Sequence, residues 1–383
     1  MMKGLLAVAL ALAVFGAAPA KAQEKEIRIG ALMANSGPSA FIGLSQKNTF
    51  DMLVEQINAR GGMSGYKIKP FFYDSEGNST LAAQQFRRLA ETDKVHVVIG
   101  PSTTGETLVV KPIANELKLP TISMGGAEII VVPPTRYVFK VSPTDRIVAE
   151  HVLAFIKGKG ITNIALLSSA DGYGQAGAVM VKDIAPRVGV KIATADEFGA
   201  RDSDMTPQIL KIRASGADAM LVWSVNPGPS IILRNAVAVG YNKPIYMSNG
   251  AASQVLIDQS GTAAENAFVS SSRLLAPASL NTNDPMSKVV TTLVADYKAR
   301  FKIEPPGFAG NTYDALMLIE KALEKITGPV DREKLADSFQ SGIKYPGTNG
   351  FADYTPEKHG GLDGTSRSMV MMQIKNGKFV LAE

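Results

Sequence analysis

The sequence predicts an α/β protein built from two doubly wound, Rossmann-like lobes. Short apolar β segments alternate with helical segments along most of the chain, and this alternation produces right-handed βαβ crossovers and parallel sheets. Runs such as HVVIG and MLVW are almost continuously apolar, which is typical of strands covered on both faces. The strands are too many for one sheet, so the 383 residues are predicted to form two lobes.

The first lobe is predicted to begin with alternating strands and helices. The first helix ends at Gly61-Gly62, because glycine commonly stops a helix. The predicted strands cover residues 26–34, 67–74, 95–100 and 120–124, and the helices cover Leu44–Arg60, a segment from Ser79 as N-cap to Thr92, and a segment ending near Leu117.

The same alternation resumes at Asp145 and predicts the second lobe. Its strands are expected at 163–169, 190–198, 219–225 and 244–250, with helices starting near Asp145, Gln175 and Thr206 and one ending at Gly240. Two long helices follow at 284–301 and 311–326. The last segment, 370–382, contains Asn376-Gly377 between two β runs, which is a hairpin signal.

Three crossover segments are expected to join the lobes. Pro143 interrupts an extended run near residues 142–145, a second crossing is expected at 270–273, and a third is expected at 345–350. The resulting division assigns residues 23–143 and 273–346 to the first lobe and residues 144–272 and 347–383 to the second.

The first 22 residues are predicted to be a signal peptide. Lys3 precedes an apolar run from Gly4 to Gly16, and Ala20-Lys21-Ala22 supplies the small-x-small cleavage pattern. The run is shorter than the roughly 20 residues that a membrane-spanning helix needs. Since no cysteine follows for lipid attachment, we expect a diffusible protein in a Gram-negative periplasm.

Composition narrows the function classes. Apolar residues make up 45% and charged residues 20% of the chain, a balance that is typical of a globular protein with a full core. The net charge of +5 is not concentrated in any basic run, so no nucleic-acid partner is expected. With no cysteine and only His96, His151 and His359, we expect no metal site and no cofactor.

Recognised catalytic motifs do not explain this chain. Gly172 to Gly177 matches G-x-G-x-x-G, but Ala170 and Asp171 separate it from the strand, and Tyr173 would crowd a pyrophosphate. The glycines are better explained as a βα turn, either a plain one or one that presents Tyr173 to a cleft. Ser341-x-x-Lys344 matches a penicillin-recognising motif by chance alone. No catalytic residues are therefore predicted.

The loop from Gly100 to Thr107 is the strongest candidate for ligand contact. It follows a parallel strand and opens a helix, where α/β sheets bind ligands and helix N-termini favour anions. Thr103 and Glu106 form a capping box, which is a structural role. Ser102, Thr104 and the free N–H groups of the first turn suit a carboxylate.

Other candidate residues lie in equivalent loops. Gly125 and Ala127 follow the next strand, where small residues either admit a ligand or only form a tight turn. Trp223 lies near a strand end before Asn226, and either a core or a pocket position is compatible with the sequence. The first loop contributes Phe41 and Ile42 as apolar lining.

Several motifs, in order, resemble periplasmic branched-chain amino-acid binding proteins. The similarity runs from about Ile27 to the end, and its motifs are ALMANSGPSAFIG, INARGG, IGPSTTGETLVVKPIANELKLPTIS, DGYG, NTYDA (311–315), YTPEKHGGLDG (354–364) and the late NGK. The resemblance implies a type I fold of two lobes joined by three crossovers, closing over a small solute that is delivered to an inner-membrane ABC importer.

The resemblance also implies roles for particular residues. Thr104 and the backbone of Gly125 and Ala127 would cradle a carboxylate, and Tyr173 would cover the ligand from the second lobe. Position 127 is Ala where amino-acid binders carry a hydroxyl, and the loop containing Asn249 lacks their acidic partner for the ammonium. A desolvated ammonium without a counter-charge is costly, so an organic or aromatic acid fits better than a free amino acid.

Three functions are compatible with these observations. The first is a monomeric solute-binding protein that serves the permease subunits of an ABC transporter, with a small-molecule partner. The second is a periplasmic sensor that presents its ligand to a receptor. The third is an exported enzyme, which the missing catalytic constellation disfavours.

Overall fold

The computed structural model describes residues 25–199, 201–362 and 369–382. The predicted signal peptide lies outside these residues. The first lobe begins with β1 (Lys25–Met33), α1 (Ala40–Ala59), β2 (Tyr66–Asp74), α2 (Ser79–Glu91), β3 (Val97–Ile99), α3 (Thr104–Glu116), β4 (Thr121–Ser123) and β5 (Val138–Lys140). Its five strands are all parallel and lie in the order β2-β1-β3-β4-β5.

The second lobe is built from the next segment in the same way. Its elements are α4 (Asp145–Gly158), β6 (Asn163–Ser169), α5 (Gly172–Ile184), β7 (Lys191–Phe198), α6 (Thr206–Ala214), β8 (Ala219–Trp223), α7 (Gly228–Ala238), β9 (Ile245–Met247), α8 (Gln254–Ser260) and β10 (Phe268–Ser272). The predicted α/β class with parallel sheets is confirmed.

The remaining elements return to both lobes. They are α9 (Pro285–Phe301), α10 (Ala309–Leu323), α11 (Arg332–Phe339), β11 (Ile343–Pro346), β12 (Phe351–Tyr354), β13 (Met369–Lys375) and β14 (Lys378–Leu381). Strands β13 and β14 pair antiparallel around the predicted Asn376-Gly377 turn. They complete a second sheet in the order β14-β13-β10-β9-β8-β6-β7.

Polar N-cap side chains set where several helices begin. Asn78, rather than the predicted Ser79, caps α2, because its Oδ1 accepts from the backbone N–H of Thr80 at 2.9 Å. Asp171 caps α5 by accepting from the N–H groups of Tyr173 and Gly174. This cap starts α5 at Gly172, three residues before the predicted Gln175.

Late helices complete the core of the first lobe. Leu293, Leu316 and Phe339, from α9, α10 and α11, are buried in the same cluster as Ile29 of β1. The second lobe has a separate core on each face of its sheet.

The third crossover starts near the predicted passage at residue 347 and remains in contact with the first lobe for several more residues. Strand β12 pairs antiparallel with β11, and Tyr354 is buried in the core of the first lobe. Its hydroxyl donates to the backbone oxygen of Lys140 at 2.8 Å. His359 stacks on Phe139 with ring centroids 4.4 Å apart. The third crossover therefore packs against the first lobe from Thr348 to His359.

Neither membrane-spanning helices nor metal clusters occur within the described ranges. No helix there combines the length and apolar character needed to cross a bilayer. No group of three or more His, Asp or Glu side chains in those ranges is arranged to hold a metal ion.

Candidate ligand-binding cleft

A cavity of about 460 Å³ lies between the carboxyl ends of the two sheets. Loops that follow parallel strands line it from both lobes, which is where open α/β sheets bind ligands. The crossovers also contribute, through Ser142 and Pro143, Ser271 and Ser272, and Asn349. A solute in this cavity would contact both lobes and the hinge together.

Two helix N-termini meet across the cleft. A Cβ atom at Gly172, at the start of α5, would lie 3.5 Å from the backbone nitrogen of Gly105 in α3 and 3.6 Å from Cγ2 of Thr104. The N–H groups of Thr104, Gly105 and Gly172 have no hydrogen-bond partner among the residues described. Because a helix N-terminus carries partial positive charge, this end of the cleft favours an anion.

The hydroxyl groups before α3 have different roles. Thr103 and Glu106 form the predicted capping box, with the Thr103 Oγ1 accepting from the Glu106 N–H at 3.3 Å. Ser102 Oγ donates to Gln46 Oε1 at 2.5 Å and accepts from Ala34 N–H at 3.1 Å. Ser102 therefore has protein partners for both functions of its hydroxyl.

Thr104 is the hydroxyl best placed for a ligand. Its Oγ1 accepts from the backbone N–H of Ala127 at 3.3 Å, and its side chain lines the cavity although it is only 2% exposed. The Thr104 hydroxyl proton has no protein acceptor within the described part of the chain. It is therefore free to donate to an anionic ligand atom.

Tyr173 connects the two lobes. A Cβ atom at Gly126, in the first lobe, would lie 2.6 Å from its ring, and one at Gly250, in the second lobe, would lie 2.8 Å from it. The Tyr173 hydroxyl donates to Asn249 Oδ1 at 2.8 Å. Burial raises the pKa of the phenol well above its ordinary value, so Tyr173 remains a neutral donor.

The cleft brings together seven of the residues that the sequence singled out. These are Ile42, Ser102, Thr103, Thr104, Tyr173, Asn226 and Asn249. Asn226 is oriented by a bond from its Nδ2 to Ser253 Oγ at 3.1 Å. Contact of these residues with a ligand stays a prediction.

Four predicted residues do not line the cavity. Phe41 lies in α1 and packs edge-on against Phe308, which does line it. Ala127 is fully buried in the core of the first lobe. Gly125 lies behind the start of α3, where a Cβ atom would be 2.9 Å from Thr104 N. Gly125 and Ala127 therefore support Thr104 from behind.

Trp223 is a core residue. Its side chain is fully buried in the second lobe, and a Cβ atom at Gly177 would lie 1.9 Å from its Nε1. Of the two alternatives left by the sequence, the structure selects the core position, because α5 lies directly over the indole.

The sequence did not reveal several lining residues. Arg201 and Phe198 lie near the end of β7, while Asn311 and Asn349 lie beside the third crossover. Asn311 belongs to the NTYDA motif, which is the signal that could have identified it. Arg201 lies in a loop without any recognisable pattern.

The lining of the cleft is nearly free of charge. Within the described chain, Asp171 and Arg201 are the only lining residues of the Asp, Glu, Lys or Arg type. Asp171 Oδ1 accepts from two N–H groups at the start of α5, as its N-cap. Arg201 carries the opposite charge and lies in an exposed loop.

A buried lysine supports the first crossover. Lys140 is fully buried, and its Nζ donates to the backbone oxygens of Ser142 at 2.6 Å and Pro143 at 3.0 Å. Burial lowers the pKa of Lys140 to about 7. Its three oxygen acceptors, which include Ser142 Oγ, fix the crossover against the first lobe.

Two α/β lobes, a shared cleft and three crossovers define a type I solute-binding protein. The chain belongs to the periplasmic binding protein family, whose model matches residues 26–378. The resemblance to Leu/Ile/Val-binding proteins is confirmed by its relatives.

Curated relatives match along most of their length. A Leu/Ile/Val-binding protein homolog 7 from Brucella melitensis is 23% identical over 99% of this chain and 96% of the relative. The leucine-, isoleucine-, valine-, threonine- and alanine-binding protein of Pseudomonas aeruginosa is 25% identical over 86% of each chain.

A solved structure shows the same architecture. An extracellular ligand-binding receptor from Rhodopseudomonas palustris HaA2 superposes with a TM-score of 0.85 and 29% identity, covering 93% of this chain and 99% of that chain.

Proposed function

We propose that this protein captures a small carboxylate-bearing solute in the periplasm and delivers it to the permease subunits of an inner-membrane ABC importer, acting as a monomer. The observation that carries the proposal is the meeting of the α3 and α5 N-termini across the cleft. Their free N–H groups and the Thr104 hydroxyl supply donors for a carboxylate, and they come from both lobes.

A solute without an ammonium group fits this cleft best. Among the described lining residues the one carboxylate, Asp171, already accepts two N–H groups of α5. A free amino acid would have only this N-capping carboxylate as a counter-charge for its ammonium, and a poorly paired charge is costly in a desolvated site. Ile42, Met124, Phe198 and Phe308 provide apolar contacts, so an organic or aromatic acid is favoured over a hydrophobic amino acid.

A thermal-shift screen tests this proposal. The mature chain is heated with leucine, short aliphatic acids, aromatic acids and the corresponding amides. A ligand at 100 times its Kd adds about 2.7 kcal/mol to the free energy of unfolding, so a cognate acid should raise the melting temperature by several degrees.

Three results separate the alternatives. Acids that stabilise the protein while their amides do not support recognition of the carboxylate. Stabilisation by leucine alone would instead assign the cleft to hydrophobic amino acids. No shift with any carboxylate contradicts the proposal. Loss of uptake of the stabilising acid, labelled with carbon-14, in cells that lack the protein tests the delivery step.

A further inference from the structure

The hinge floor of the cleft contains an ordered pair of amide side chains. We define the hinge floor by the lining residues Ser142, Ser271, Ser272, Asn311 and Asn349. Asn311 and Asn349 are only 4% and 2% exposed, respectively. Asp314, one turn along α10 from Asn311, holds Asn349 directly, and Asn349 in turn holds Asn311.

Asp314 binds the third crossover with its two carboxyl oxygens. Oδ1 accepts from the Thr348 N–H at 2.7 Å, and Oδ2 accepts from the Asn349 N–H at 3.1 Å. Burial raises the pKa of Asp314 to about 7, and its N–H donors oppose that rise. A Cβ atom at Gly347 would lie 2.8 Å from Oδ1, so the loop closes tightly around the carboxyl group.

The same carboxyl group determines which way each amide faces. Asn349 Nδ2 donates to Asp314 Oδ2 at 3.0 Å, which fixes the orientation of Asn349 because a carboxylate accepts only donors. The other proton of Asn349 Nδ2 reaches Asn311 Oδ1 at 2.9 Å. This second bond fixes the orientation of Asn311.

Two hydrogen-bonding atoms are left unused by this network. Asn311 Nδ2 donates to no residue in the described ranges, and Asn349 Oδ1 accepts from none. The hydroxyl of Ser271, 1% exposed, also lacks a partner there. The hinge floor thus offers an uncharged donor and an uncharged acceptor side by side.

We propose that Asp314 is a positioning residue, and that the amides it orients bind a neutral hydrogen-bonding group of the solute, a hydroxyl or an amide. The inference rests on the proposed function and extends it, because it specifies a second polar group on the carboxylate-bearing solute. A second carboxylate is disfavoured, since it would lie against the Asn349 oxygen without any cation on the hinge floor.

Matched ligand series test this inference by calorimetry at pH 8, above the raised pKa of Asp314. The probes are hexanoate, 6-hydroxyhexanoate, adipamate and adipate, and benzoate, 4-hydroxybenzoate, 4-carbamoylbenzoate and terephthalate. The parent acids are hexanoate and benzoate. In the series that fits the cleft, we expect the hydroxyl or amide derivative to bind at least about fivefold more tightly than its parent acid. The dicarboxylate should bind more weakly than either.

Two variants separate positioning from simple support. Asn311→Ala should abolish the fivefold preference, measured within the variant as the ratio of its affinities for the hydroxyl or amide derivative and for the parent acid. Asp314→Asn replaces one of the two acceptor oxygens with a donor, so Asn349 no longer faces a group that only accepts, and the preference should fall. Asn115→Ala, on the far part of α3, is the matched control and should retain the preference. If Asp314→Asn does not fold, Asn311→Ala decides the matter.

The outcomes distinguish the two proposals. If none of the carboxylates binds, the proposed function is overturned. If the parent acids bind but the hydroxyl and amide derivatives gain nothing, the function stands and the role of the hinge floor is wrong. If Asn311→Ala retains the preference for the hydroxyl or amide derivative, the proposed role of the hinge floor is also wrong.

Discussion

Arg146 and Glu128 form a two-pronged ion pair between the lobes, beside the first crossover. Arg146 Nε lies 2.8 Å from Glu128 Oε1, and Nη2 lies 2.9 Å from Oε2. Glu128 belongs to the loop after β4, whereas Arg146 lies in the first turn of α4 and approaches Asp183 of α5 at 3.6 Å. The pair therefore stabilises the observed arrangement of the two lobes.

Glu128→Gln should favour a more open arrangement. Pairs that are partly exposed contribute about 0.2–1 kcal/mol, so we expect a two- to fivefold loss of affinity for the stabilising acid. Small-angle scattering should show a larger radius of gyration without ligand. Asp183→Asn is the control, since it removes a partner within the second lobe, and it should leave the radius unchanged. Equal scattering from Glu128→Gln and wild type would argue against this role.

Thr104→Ala should weaken binding without a large loss of stability. It deletes the hydroxyl donor that lies in the cleft, and a bond to a charged acceptor contributes about 1–3 kcal/mol. Calorimetry with the acid found in the screen measures the effect. Thr103→Ala is the matched variant, because it removes the N-cap of α3 and should cost about 1 kcal/mol of stability. If Thr104→Ala lowers the melting temperature but leaves the affinity unchanged, the hydroxyl supports the Ala127 loop and does not bind the ligand.

Gly126→Ala should hinder closure. The added methyl group would lie 2.6 Å from the Tyr173 ring, a distance that requires the lobes to separate. We expect binding to weaken at least tenfold, while the melting temperature without ligand changes little. Gly158→Ala in α4 serves as control, because no atom lies within 4 Å of the added group. Normal binding by Gly126→Ala would show that Tyr173 moves without cost.

His151 should make the protein less stable in acid. Burial, with a smaller contribution from the charge of Arg273, lowers the pKa of His151 to about 4. Between pH 6.5 and 4 the unfolded chain binds a proton that the folded chain excludes, so stability falls as the pH drops through this window. A shift of this size corresponds to at most about 3 kcal/mol.

Comparison with His151→Gln isolates this contribution. Asp314 acts with the opposite sign, since its raised pKa favours the folded state below about pH 7. Because Asp314 is present in both proteins, its contribution cancels when they are compared. The difference in free energy of unfolding between wild type and His151→Gln should be measured by urea unfolding at pH 4.5 and pH 7.5. Parallel losses of stability in both proteins would show that His151 is not responsible.

Local sequence patterns predicted most of the elements near the cleft. The apolar run at 163–169 corresponds to β6 without any shift, and the capping box correctly placed the start of α3. Strand β10 was missed as an element because FVSSS is half polar. Ser271 and Ser272 line the cavity, and Ser270 contacts His151, so the usual apolar signal of a buried strand is absent there.

Interactions between distant segments limited the prediction of the site. Asn349 and Asn311 become neighbours only when the third crossover folds onto α10. The sequence was compatible with a pocket position for Trp223. In the structure α5 packs over the indole, which is possible because Gly177 has no side chain. Each outcome depends on packing between elements, which a single sequence does not encode in any short motif.

Helices α9 to α11 restrict how this protein can be recombined with a relative. Leu293, Leu316 and Phe339 fill the core beneath strands that were made some 200 residues earlier in the chain. A chimaera with one joint near Pro143 would place helices from one parent on the sheet of another. Exchange of cleft halves between relatives therefore needs three matched joints, one at each crossover, to keep both cores intact.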